Sequence, residues 1–82
     1  MATVTVTAPG TPDDTWTEIV RVATAVCGRA QGGGSWVRND EQRRITAQLH
    51  LDPAQVEQVQ HDFQGLRMCY SEAAVEFTPD EG

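Results

Sequence analysis

Residues 43–55 read Arg-Arg-Ile-Thr-Ala-Gln-Leu-His-Leu-Asp-Pro-Ala-Gln. Ile45, Ala47, Leu49 and Leu51 alternate with Arg44, Thr46, Gln48 and His50. A period of two with one apolar set is the pattern of a strand that buries a single face. This strand, expected over Arg43–Leu51, runs straight into a helix start at Asp52-Pro53-Ala54-Gln55. Asp52 is expected to cap the helix, Pro53 to take its first position and Gln55 to complete a capping box.

The same order occurs near the start of the chain. Thr3–Ala8 alternates, with Val4, Val6 and Ala8 on one face and Thr3, Thr5 and Thr7 on the other. Pro9-Gly10 ends that strand. In Thr11-Pro12-Asp13-Asp14, Thr11 is expected as the N-cap and Pro12 at the first helical position, with two acids near the positive end of the helix dipole. Trp16, Ile19, Val20, Ala23, Val26, Cys27 and Ala30 follow at spacings of three and four, an apolar helical stripe. Gly28 loosens its last turn and Gly32-Gly33-Gly34 stops it.

Each strand–helix pair needs a returning strand. After the first helix, Ser35–Arg38 reads as a short strand and Asn39-Asp40-Glu41 as the turn of a hairpin leading into Arg43–Leu51. In the second helix Val56, Val59, Phe63 and Leu66 form the apolar stripe, and Gly65 is expected as a left-handed C-terminal cap. A last strand is then expected over Met68–Phe77, with residues 78–82 as a frayed tail. The order βαββαβ, with right-handed crossovers, is solved most economically by a four-stranded antiparallel sheet carrying both helices on one face. The expectation is therefore a ferredoxin-like α+β sandwich occupying residues 1–82 as a single domain.

Composition narrows the function classes. The net charge is −6, from twelve acids against six bases, and every base is arginine. Direct nucleic-acid binding draws on clustered cations, so it is disfavoured. No apolar run approaches the ~20 residues of a membrane span, and the first residues lack the pattern of a signal peptide. Two cysteines, Cys27 and Cys69, are too few for a disulfide framework and form no CxxC pair. These features lead us to expect a cytoplasmic protein with reduced thiols and no membrane partner.

No motif carries catalysis. The run Gly-Arg-Ala-Gln-Gly-Gly-Gly-Ser at 28–35 follows a helix instead of preceding one and has no lysine, so it reads as a flexible connection and not a phosphate loop. His50, His61, Cys27 and Cys69 fall at separated places in the expected topology, which disfavours a metal site and a Cys27–Cys69 disulfide. The outward residues of the two central strands offer no aromatic platform for single-stranded RNA. We therefore expect no catalytic, cofactor-binding or metal-binding residue, and no enzyme.

Two surfaces remain. Arg38, Arg43 and Arg44 cluster at the hairpin around Asp40 and Glu41, beside Trp36. Arginine forks grip carboxylates, and Trp and Arg are enriched at binding hot spots. The open sheet face is expected to carry the threonines of the first strand, His50, Tyr70 and Glu72, with one of Trp36 and Val37. The leading expectation is a non-catalytic protein-binding module, an inhibitor or adaptor for a larger protein partner; a phage-type inhibitor of a nucleic-acid-handling enzyme would have this size and charge. The alternative is a homodimer with a small-ligand pocket between two sheets, lined by His50, Tyr70 and Trp36.

Overall fold

The computed structural model describes residues 2–30 and 32–78. In chain order the elements are β1 (Ala2–Thr7), α1 (Asp13–Cys27), β2 (Gly34–Asn39), β3 (Arg44–Leu49), α2 (Pro53–Cys69) and β4 (Ala74–Thr78). The four strands form one antiparallel sheet in the order β2-β3-β1-β4. This is the ferredoxin-like arrangement that the two strand–helix starts imply. Of the tail expected to fray, Thr78 is instead paired with Thr3 as the last residue of β4, and residues 79–82 lie outside the described residues.

Registers place Val4 opposite Ala47 and Phe77, and Val6 opposite Ile45 and Val75. Paired residues of an antiparallel ladder share a face, so one apolar face runs across three strands. Trp16, Ile19, Val20, Ala23, Val26 and Cys27 of α1 and Val59, Phe63 and Leu66 of α2 are buried in the same core. Trp16 and Phe63 are its bulkiest members, 2% and 1% exposed. α2 starts as expected: the Asp52 N–H donates to Gln55 Oε1 at 3.3 Å, half of a capping box. From the turn after α1, Arg29 Nη1 donates to Asp62 Oδ2 of α2 at 3.0 Å.

Several local expectations are corrected. Pro12, not Thr11, is the N-cap of α1; its carbonyl accepts the Trp16 N–H at 2.9 Å. Thr11 is buried, and its hydroxyl donates to the Ala8 carbonyl at 3.0 Å. A hydroxyl spent on closing the preceding turn cannot cap the helix. β2 reaches from Gly34 to Asn39, the hairpin turn covers 40–43, and β3 stops at Leu49.

The largest correction concerns the end of α2. Gly65 is not a left-handed cap; positive-φ glycines among the described residues are Gly10 and Gly33, and α2 passes through Gly65 to Cys69. Met68 and Cys69 are therefore helical and do not begin the last strand. Leu66, Arg67 and Met68 are strong helix formers, and continuing the helix brings Tyr70 onto the core, with its N–H donating to the Leu66 carbonyl at 2.9 Å. A Cβ at Gly65 meets nothing within 4 Å. Gly65→Ala should accordingly raise stability by ~0.5–1 kcal/mol, the cost of glycine inside a helix, measurable by urea unfolding. A left-handed cap would show the opposite sign.

The glycine run is also more than a flexible connection. A Cβ at Gly32 would sit 2.6 Å from the His50 carbonyl oxygen, and one at Gly34 would sit 2.6 Å from that of Gln48 and 2.8 Å from Leu49 Cδ2. Gly33 takes φ +81°. Two of the three glycines thus let the backbone lie close on the end of β3, and the third supplies the left-handed turn.

Candidate functional site

Strand β2 is the exposed margin of the sheet, and all six of its residues are exposed. Register decides which way its side chains point. Trp36 pairs with Ala47 and Arg38 with Ile45, so both lie on the helix-bearing side. Val37 pairs with Thr46 and therefore joins the open face. At the sheet edge, Trp36 overhangs the core without entering it and remains 42% exposed; Val37 is 72% exposed.

The hairpin tip is tied to the start of α1. Asp40 Oδ1 accepts from Trp16 Nε1 at 2.9 Å and from Arg38 Nε at 2.6 Å. Arg43 donates to Asp13 of α1, and its guanidinium carbon lies 5.8 Å from the Trp16 ring centroid, within cation–π reach. Arg43 itself closes the turn at φ 50°, a left-handed conformation that few non-glycine residues adopt. The Arg38 guanidinium, followed by the Trp16 N–H, holds the Asp40 carboxyl below the usual carboxylate range. Asp13, Trp16, Arg38, Asp40 and Arg43 thus form one clasp. Its shallow depression, about 270 Å³, is lined by Asp13, Trp16, Thr17, Arg38, Asp40 and Arg43.

The four hairpin residues singled out from the sequence have three different settings. Trp36 is an exposed aromatic on the helix side, Arg38 and Arg43 are engaged in the clasp, and Arg44 is exposed on the open face with no ion pair among the described residues. Sequence reading did not find the part played by Trp16 and Asp13. Trp16 stood in the helical stripe and was read as core alone; its indole N–H, which needs a partner when buried, was the available signal.

The open face is Thr3, Thr5 and Thr7 on β1, Arg44, Thr46 and Gln48 on β3, Ser35, Val37 and Asn39 on β2, and Ala74, Glu76 and Thr78 on β4. Tyr70 and Glu72 do not belong to it: Tyr70 packs against the core at the end of α2, and Glu72 lies in the turn before β4. Both were displaced when α2 took the residues expected to open the last strand. His50 is exposed just beyond β3, where its backbone N–H donates to the Gly33 carbonyl at 2.9 Å. The structure does not bring His50, Tyr70 and Trp36 together on one surface.

Elsewhere, a depression of about 470 Å³ over the outer side of α2 is lined by α2 residues alone, so no second element walls it. No group of three or more His, Cys, Asp or Glu among the described residues could hold a metal ion. Cys27 is buried, and burial pushes its thiol up to about 11; Cys69 is exposed. No helix is long and apolar enough to cross a membrane among the described residues. No known protein-family model matches the chain, and no curated protein matches it.

Proposed function

We propose that the chain is a small acidic non-catalytic protein-binding module, an inhibitor or adaptor that meets a larger protein through its β2–β3 hairpin. The observation that carries this reading is Trp36, left 42% exposed on a strand that spends none of its side chains on the core. A large aromatic held in water on a paired strand is the side chain from which binding hot spots are built. Arg44 supports the reading as an exposed cation with no ion pair among the described residues, a guanidinium that could take a carboxylate of the partner. The clasp supports it by holding the tip to α1 before any partner arrives, which lowers the ordering cost of association.

Trp36→Ala combined with Arg44→Ala tests it by affinity capture from the cells in which the protein occurs. Both side chains lie outside the core, so the folded state should persist by circular dichroism. The expected result is loss of the captured partner from the double variant, with retention by a Gln64→Ala control on the outer side of α2. An unchanged set of captured proteins would remove the hairpin as the contact surface.

A further inference from the structure

The outer backbone edge of β2 has a chemistry separate from its side chains. Ala8 N–H donates to the Arg43 carbonyl and His50 N–H to the Gly33 carbonyl, both at 2.9 Å. In an antiparallel ladder the bonding direction alternates residue by residue, so Ser35, Val37 and Asn39 point their backbone groups at β3. Gly34, Trp36 and Arg38 point theirs outward. These outward groups form a ready template for another strand. No lysine, proline or unpaired charge blocks the edge, because Arg38, its single charge, is bound to Asp40 of the same hairpin.

We infer that the strand β2 receives is β2 of a second copy of this chain. The outward residues are self-complementary about a two-fold axis at Trp36. In that register Gly34 faces Arg38 of the second copy, Trp36 faces its counterpart, and Arg38 faces Gly34 in return. All three outward residues are then paired, giving about six backbone hydrogen bonds, two for each facing pair. Each Arg38 meets a glycine instead of another cation, so the geometry brings no like charges into register. The two Trp36 rings come side by side on the helix-bearing face, and Val37 covers Ser35 on the open face. One isologous contact thereby joins two sheets into one of eight strands.

The opposite edge does not offer this. On β4 the outward backbone groups belong to Val75 and Phe77, by the same alternation from the pairing with β1. The two-fold register that pairs both Val75 and Phe77 sets Glu76 against Glu76, a like-charge pair that destabilises adjacent strands. In the sequence that edge leads into Pro79-Asp80-Glu81, a proline and two further acids. The second-copy contact rests on the reading that the hairpin is an interaction site. It covers Trp36, so a larger partner that grips Trp36 competes with the second copy, while the tip at 40–43 and Arg44 stay uncovered.

Sedimentation velocity over a concentration series tests the inference. The wild-type protein should show a reversible monomer–dimer equilibrium that tightens with moderate salt, since each chain carries −6 overall and salt screens that repulsion. Trp36→Lys and Trp36→Glu should each weaken the dimer roughly a hundred-fold or more, because the two-fold sets like charge against like charge. An equimolar mixture of the two variants should recover a heterodimer. Trp36→Pro should also abolish the dimer while keeping the fold, because the Trp36 N–H is not used by β3. Wild type that stays monomeric, or charge variants that fail to recover on mixing, would overturn the inference. If the wild type is monomeric yet captures a partner that depends on Trp36, the second copy is excluded and the binding-module reading stands. A dimer that captures nothing larger has the reverse meaning.

Discussion

Trp16→Ala should cost about 3–5 kcal/mol, the range for removing a large buried aromatic. A domain of this length has a total stability of about 4–12 kcal/mol, so this one change removes a quarter or more of it. The loss has two origins. The ring fills the core between α1 and the sheet, and its indole N–H crosses to Asp40, a residue twenty-four positions away. Trp16→Phe separates them: most of the buried volume is kept while the N–H is lost. The smaller loss should come with a change in pH dependence. Asp40 titrates below its unfolded value in the folded chain, so its contribution is present above the unfolded pKa and disappears as pH falls through the folded one. With its phenyl ring in place of the indole, the variant should show a flatter acid limb in urea-unfolding free energy, and Asp40→Asn should flatten it further. An acid limb identical in all three proteins would show that the clasp does not contribute to stability.

Gly34→Ala should destabilise the domain by ~1–3 kcal/mol, with Gly34→Val worse, although valine is a far better strand former than glycine. The reason is steric. The new Cβ falls 2.6 Å from the Gln48 carbonyl oxygen and 2.8 Å from Leu49 Cδ2; the first of these is backbone and cannot swing aside. Relief requires β2 to move away from β3, which breaks the ladder that holds the hairpin. Thermal unfolding of Gly34→Ala beside Gly65→Ala makes the contrast sharp, since the same substitution should lower the midpoint at one site and raise it at the other. Equal behaviour at both positions would mean that β2 does not lie this close to β3.

Where the periodic signal was long and unbroken, the fold was legible in the chain. Val4, Val6, Ile45, Ala47 and Leu49 declared their strands by alternation, and the starts before Asp13 and at Asp52 declared both helices. The segment Leu66–Tyr70 was ambiguous because Met, Cys and Tyr suit either period. Tertiary packing of Tyr70 on the core decided it, and the open-face assignments of Tyr70 and Glu72 went with it. Gly65 misled because glycine is most often seen at helix ends, whereas here it is tolerated inside one. The candidate site was legible in composition, as Trp36 and the arginines around it, but not in geometry. Which face Trp36 takes depends on register with β3, and the partners of Arg38, Arg43 and Asp40 are fixed by a clasp that spans helix and hairpin.

Because β2 contributes no buried side chain, the free energy of the domain is concentrated in α1, α2 and the three strands behind them. Mutational drift is then unequal across the sheet. Changes at Ser35, Trp36 or Val37 alter what the molecule presents without drawing on the core, while Gly34 and Asp40 keep the strand seated. Such a strand is a cheap place for selection to rewrite specificity. Its amides should also exchange with solvent through local opening that leaves the rest of the ladder protected.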